Sequence, residues 1–371
     1  MNENISNKIF VIDSNTTALM VSLIAQDKPI RCVYEIKEGL SNKTHNGLFD
    51  LILSENIIIE KKIIKVQPKY FLLNKKHIIK SVLNLIKFRR KHHHIKIEKD
   101  FYYVGPSTST IMAYVDKNKK YYLDHGTGDY YARLLPNKNT SRNYFLNKFF
   151  IYLGFPEIFS EFRKKGYSLC QINNDRFFHL DVVNYHIPKE IKIGLNKIKN
   201  KTENFTKISL LLPVSSWHNK NGIDGNSSKY DDLNIQMCQN NFTKDELILV
   251  KFHPSLFMAD KVNITLIDKL KLLGYSAIIV DEYLPDDLSY FLPAEILVLH
   301  LGITKIVSEE SSLLFNLTHL SDIKLIAEPY IFNIPCERDN RLIKIIDVIN
   351  PYLNNPITIG KNEIAIDKVC R

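Results

Sequence analysis

Short apolar blocks alternate along this chain with longer stretches in which apolar residues recur at helical spacing. Lys8 to Ile12 (KIFVI) has the pattern of a buried strand, followed by a polar turn, Asp13 to Asn15, and a helix-like stretch from Thr17 to Gln26. Leu51 to Leu53 reads as another strand. His77 to Arg90 places Ile78, Ile79, Val82, Leu83, Leu85 and Ile86 on one broad helical face. Phe101 to Val104 is a strand that runs into Gly-Pro-Ser-Thr-Ser, and Lys120 to Leu123 is a further strand.

The same alternation restarts near residue 207. Ile208 to Pro213, Leu247 to Phe252, Ala277 to Val280 and Lys305 to Val307 read as strands. Helices are expected over Ile264 to Leu273, stopped by Gly274, over Ala294 to Leu301, and from Ser311 to Leu317. Lys189 to Thr206, rich in Lys and Asn, reads as a hinge, and Asn219 to Asn241 as a mobile loop. Strands alternating with helices predict an α/β protein with parallel sheets. The expected division is residues 1–200 as one Rossmann-type domain and 201–371 as a second, facing each other across a cleft.

Composition narrows the partners more than the fold. With 371 residues the chain is long enough for two cores, and 13 glycines leave no room for a long flexible linker. No apolar run approaches the ~20 residues that span a bilayer, and no secretory leader is visible, so a cytoplasmic protein is expected. The five cysteines (Cys32, Cys170, Cys238, Cys336 and Cys370) are odd in number and widely spaced. That argues against a disulfide framework or a zinc site and fits a reducing compartment. The net charge of +10 is compatible with an anionic substrate or membrane surface. No nucleic-acid-binding module accompanies it, so nucleic acid is not expected as a partner.

Four short constellations sit at strand-to-helix junctions, where ligands of parallel α/β sheets bind. Asp124-His125-Gly126-Thr127-Gly128 follows the strand ending at Leu123. Its imidazole or carboxylate can take a proton from a hydroxyl, and Gly126 and Gly128 let the backbone turn tightly and approach a ligand. His253-Pro254 ends a strand, with the proline holding the histidine extended at the sheet edge. Ser311-Ser312 precedes a helix, where serines either cap the helix or hold an anion. Pro293-Ala294-Glu295 opens another helix, where the carboxylate either complements the dipole or accepts hydrogen bonds from a ribose diol.

The order of these motifs resembles that of the bacterial sialyltransferases of the two-domain GT-B fold. Those enzymes carry acidic, His-Pro and Ser-Ser motifs. The lipooligosaccharide sialyltransferases of glycosyltransferase family 52 and the capsule polysialyltransferases of family 38 look most similar. The resemblance runs from about residue 100 to 320 and implies a GT-B-like α/β fold. It also implies an inverting transferase, acting at the inner face of the cytoplasmic membrane, that moves sialic acid from CMP-sialic acid to a glycan or glycolipid acceptor. By that resemblance His253 would assist departure of the CMP phosphate, Ser311 and Ser312 would hold it, Pro254 would shape the loop and Glu295 would bind the ribose. No cofactor and no metal would be required. The family places an acid where this chain has His125, with Asp124 before it, so either residue can be the base.

His125-Gly126-Thr127 also resembles the His-Gly-Thr motif of the teichoic-acid glycerophosphate polymerases. A CDP-glycerol-type phosphotransferase or other capsule polymerase is therefore the alternative within the class, and a noncatalytic glycan- or membrane-binding protein the alternative outside it. The basic run Lys87 to Lys99, with His92, His93 and His94, and the aromatic segment Tyr144 to Phe162 allow peripheral contact with an anionic membrane. Consecutive histidines on a helix diverge, so they make a poor metal site.

Overall fold

The computed structural model describes residues 5–37, 45–53, 57–66, 83, 86–87, 90–124, 126, 130, 165–171, 177–214, 228–253, 265–284, 291–329 and 337–360. The chain is an α/β protein with two parallel sheets in two compact units. One unit comprises Met1–Ser168 and Asn174–Leu180, the other Leu169–Asn173 and Asp181–Arg371. The sequence pattern puts the change of domain at 200/201, whereas contacts group residues 189–202 with the second sheet.

In the first unit β1 (Lys8–Ile12), β2 (Ile30–Lys37) and β3 (Ile58–Val66) are joined by α1 (Asn15–Ala25) and α2 (His45–Leu53). The chain then returns to the other side of β1 with β4 (Tyr102–Pro106), α3 (Thr110–Tyr114) and β5 (Lys120–Asp124). Two short strands, β6 (Gly166–Ser168) and β7 (Phe177–His179), complete the order β3-β2-β1-β4-β5-β6-β7, every pair parallel. Strand β1 is buried along its whole length, as its unbroken apolar run requires of a central parallel strand. One face carries a core of Ile9, Val11, Val33, Tyr103, Met112 and Tyr122.

Helix α1 begins with a capping box. The Ser14 hydroxyl accepts the Thr17 N–H, and the Thr17 hydroxyl accepts the Ser14 N–H at 3.0 Å. Residues 51–53, expected as a strand, form the last turn of α2. Leu48, Phe49, Ile52 and Leu53 are buried at helical spacing, and three apolar residues alone could not distinguish the two periods.

The second unit repeats the plan. It contains α4 (Lys189–Thr202), β8 (Ile208–Leu212), α5 (Ser228–Asn241), β9 (Leu247–Val250), α6 (Thr265–Leu272) and β10 (Ser276–Ile279). These are followed by α7 (Ala294–Leu301), β11 (Lys305–Ser308), α8 (Ser312–Asn316), β12 (Lys324–Ala327), α9 (Glu337–Ile349) and β13 (Thr358–Ile359). The strand order is β10-β9-β8-β11-β12-β13, again all parallel. Gly274 and Gly302 take positive φ values of 81° and 65° just after α6 and α7, a conformation open to glycine at little cost.

Two expectations are corrected here. The segment expected as a hinge is the 14-residue helix α4, which buries Ile191, Leu195 and Ile198 completely. Each such side chain contributes about 1.5–3 kcal/mol on burial, enough to outweigh a Lys- and Asn-rich composition. The segment expected as a loop at 219–241 contains α5 from Ser228 onward, with Met237 and Cys238 fully buried. Cys32, Cys170 and Cys238 are all buried and outside any disulfide, and burial pushes the thiol pKa of Cys32 and Cys238 up to about 12. Among the described residues no helix is long and apolar enough to cross a membrane.

Candidate functional site

Each sheet reverses its direction of growth once, between β1 and β4 in the first and between β8 and β11 in the second. At such a reversal the flanking loops leave in opposite directions and open a crevice at the carboxyl ends of the strands. The residues there are the ones most able to meet a ligand.

In the first unit the crevice is bordered by the loops after Ile12 and Pro106. Asp13 accepts hydrogen bonds from Thr108 (Oγ1 to Oδ2, 3.2 Å) and, more weakly, from Thr17 (Oγ1 to Oδ1, 3.4 Å). Behind it, buried Glu35 caps α3. Its oxygens accept the Ser109 hydroxyl at 2.6 Å and the backbone N–H groups of Thr110 and Ile111 at 2.8 and 3.0 Å. Burial raises the Glu35 pKa, with the Asp13 charge adding to the rise and these three donors opposing it. The sequence marked Asp13 as part of a polar turn and Gly-Pro-Ser-Thr-Ser as the run between a strand and a short helix. Their meeting depends on β1 lying next to β4, which neither segment announces.

Asp124 is the last residue of β5, one strand away from that crevice, and is fully buried. A one-turn hydrogen bond follows, from the Tyr130 N–H to the Gly126 carbonyl at 3.2 Å, and the Tyr130 ring is buried beneath it. A Cβ on Gly126 would meet nothing within 4 Å among the described residues, so their packing does not demand glycine there. His125 and Gly128 lie outside the described residues, as do Pro254 and the aromatic segment 144–162.

In the second unit β11 ends at Ser308, and the turn Ser308-Glu309-Glu310-Ser311 leads into α8 at the reversal point. Ser311 is the helix cap. Its backbone is extended (φ −144°, ψ 140°) and its hydroxyl accepts the Leu313 N–H at 3.2 Å. Ser312 is half-buried, and its hydroxyl makes no hydrogen bond among the described residues. Helix α8 has only five residues, so its dipole is weak, and Glu309 is buried in the same turn. The turn therefore brings hydroxyl, amide and carboxylate groups together at the reversal point.

Glu295 lies in the first turn of α7 and is 5% exposed. Its Oε1 accepts the Asn316 side-chain N–H at 2.7 Å, tying α7 to the end of α8. Burial raises its pKa, and the hydrogen bond from Asn316 partly offsets the rise. A buried carboxyl with a raised pKa contributes most stability below the ordinary glutamate value, and loses that contribution as pH rises through the raised one. Glu295→Gln, which keeps an acceptor for Asn316, is therefore expected to match or exceed the native melting temperature at pH 8. The difference should shrink toward pH 4.5, as thermal melts across that range would show.

His253 is exposed, two residues beyond the Lys251 that follows β9, and β9 is next to β8 in the sheet. Its approach is fixed from below. Lys251 and Phe252 are buried, and the Lys251 ammonium pairs with Asp281 at 2.9 Å, joining the turns after β9 and β10. His253 and the Ser308–Ser312 turn thus occupy the carboxyl ends of strands separated only by β8. Asp281 was not foreseen from the sequence, because a single aspartate after a strand carries no signal until its lysine partner is known.

His92 is buried while His93 and His94 are exposed, with Nδ1 of each of the latter two near a backbone carbonyl one turn back. Among the described residues no cluster of His, Cys, Asp or Glu has metal-binding geometry. No protein-family model matches the chain, and no curated protein matches it in sequence.

Proposed function

We propose that the chain is an inverting glycosyltransferase that moves sialic acid from CMP-sialic acid to a hydroxyl of a bacterial surface glycan, lipooligosaccharide or capsule. One observation carries the reading. The Ser-Ser turn lies at the reversal point of the second sheet, and His253 is exposed at the carboxyl end of the strand next to β8. Those are the ligand-binding positions of an open α/β sheet, and the two groups have the chemistry to hold and protonate a phosphate leaving group.

In this mechanism His125 takes the proton of the acceptor hydroxyl. The oxygen attacks the anomeric carbon from the face opposite CMP, and the bond between that carbon and the phosphate oxygen breaks. Its electron pair leaves with CMP, which receives a proton from His253. Full burial of Asp124 suits it to orient His125 rather than to meet the acceptor itself. Ser312 bonds the phosphate while Ser311 holds the turn. Glu295, whose Oε1 accepts from Asn316, is the carboxylate assigned to the ribose.

Calorimetric titration with CMP, CDP and UDP, with and without magnesium, tests the donor class. Micromolar CMP binding without magnesium, weakened at least tenfold in His253→Ala, is expected. A preference for CDP would favour the glycerophosphate-type transferase, and no cytidine nucleotide binding would remove the transferase reading. The two serines should separate cleanly. Ser311→Ala is expected to cost about 1 kcal/mol of stability through the lost cap. Ser312→Ala should leave the melting temperature unchanged and weaken CMP several-fold in the same titration.

A further inference from the structure

Helix α4 is divided around its circumference. Ile191, Gly194, Leu195, Ile198 and Thr202 form its buried stripe. The remainder carries Lys189, Lys192, Lys197, Lys199 and Lys201, all exposed, against Glu190 within the helix and Glu203 just after it. Glu190 offsets none of them along the helix, because the positions three and four residues on are Ile193 and Gly194. Elsewhere lysines meet carboxylates: Lys61 with Asp50, Lys251 with Asp281, Lys269 with Asp231 and Lys305 with Glu246. No ion pair links any of the five lysines of α4 to a described carboxylate.

The helix alone does not account for this charge. Lys199 and Lys201 in the last turn suit the helix dipole, but Lys189 at the first position and Lys192 oppose it. Lys189 with Lys192, and Lys197 with Lys201, are like charges three and four residues apart, which weakens a helix. The field extends to α7, which packs on α4: burial lowers the pKa of His300, and the charges of Lys199 and Lys192 lower it further. Two apolar side chains stand in water beside the lysines. Ile193, 53% exposed, is one turn from both Lys189 and Lys197. Val183, 57% exposed, belongs to the short turn Val182–Asn184, which packs on α7 as α4 does.

We propose that the exposed face of α4 docks the chain on an anionic lipid surface. From Lys189 to Lys201 the ammonium groups run over about 18 Å of helix, enough to face several lipid headgroups at once. A basic helix face suits a membrane or a soluble polyanion alike. The exposed apolar residues favour the membrane, since Ile193 and Val183 gain from the headgroup and acyl boundary and gain nothing from a hydrated polyanion. Helix α4 also carries no arginine and no aromatic residue, the side chains that nucleic-acid sites use for base contacts and stacking. Because the apolar stripe of α4 is already packed in the protein core, the contact is electrostatic and reversible rather than an insertion.

The docking face does not rest on the proposed transfer reaction, since none of these lysines belongs to that machinery. Its test needs no nucleotide. The intact chain is floated with vesicles of phosphatidylcholine alone, or of phosphatidylcholine with about one third phosphatidylglycerol. Binding to the anionic vesicles only is expected, half-complete at about 1 mM lipid or below in ~0.1 M salt and lost at ~0.5 M. Lys189→Gln, Lys192→Gln and Lys197→Gln together should weaken it at least tenfold, since each lysine near such a surface contributes about fivefold. Lys91→Gln, Lys96→Gln and Lys99→Gln remove the same charge from the basic run of the first unit and should change binding by less than about threefold. Ile193→Ser, at a position already in water, should weaken binding several-fold with an unchanged melting temperature. No preference for anionic vesicles would overturn the proposal. An equal loss in the two triple variants would overturn it too, by showing attraction through net charge alone. Dextran sulfate bound as tightly as the vesicles, with Ile193→Ser changing neither, would make α4 a polyanion surface and overturn the lipid assignment.

Discussion

His125→Ala is expected to lower the rate of transfer from CMP-sialic acid by about 10²–10⁴-fold while leaving CMP affinity within a factor of about two. The asymmetry follows from the roles assigned. A general base acts on the acceptor, whereas the phosphate is assigned to His253 and Ser312. The pH profile decides between the two candidate bases. With His125 as base, kcat/KM falls on the acid side near the ordinary histidine value of about 6.5, moved upward if the Asp124 carboxylate lies against the ring. Asp124→Asn should then retain part of the activity and shift that limb to lower pH, because the imidazolium loses its stabilising charge. The opposite pattern would make Asp124 the base, with Asp124→Asn inactive and His125→Ala active. Absence of transfer by the unsubstituted chain, with CMP still bound, would point to a noncatalytic binding protein.

Placing Asp124 behind the base rests on its burial, which the sequence could not supply. What the sequence does show well are the elements with unbroken apolar runs. Strands β1, β8, β9 and β11 fall within two residues of their expected limits, and α7 spans Ala294–Leu301 as its pattern predicts. Strand β9 ends three residues before His253 and β11 ends at Ser308, so where these two segments follow their strands is also legible. The failures have a common physical cause. Helix α4 carries Ile191, Leu195 and Ile198 at helical spacing, but its lysines and asparagines give it the composition of a linker. Strand β3 is an edge strand of Ile and Lys, with Ile59 and Ile63 exposed, so no buried face disciplines its pattern. Contacts between elements are harder still to read. Asp13 meets Thr108 across 95 residues, and Lys251 meets Asp281 across 30, only because the strands before them are neighbours or near neighbours in the sheet.

The Lys251–Asp281 pair is where the largest stability effect is expected. Both side chains are withdrawn from water, at 5% and 0% exposure, so neither charge can fall back on solvent when the other is removed. Asp281→Ala should cost about 3–5 kcal/mol, lowering the calorimetric melting temperature by about 10 °C or more. Much of that loss is the penalty for an ammonium stranded between the turns after β9 and β10, rather than the worth of the bond itself. Replacing both partners by apolar residues, Lys251→Met with Asp281→Leu, should therefore recover most of the stability. A single substitution with native stability would show that the charges are not buried against each other. Because His253 follows Lys251 by two residues, the double variant also separates fold from site. A stable double variant that still binds CMP several-fold more weakly would mean that the ion pair holds the histidine in register with the phosphate. The buried pair would then be retained for the geometry of the loop it anchors, since an apolar pair would hold the sheet as well.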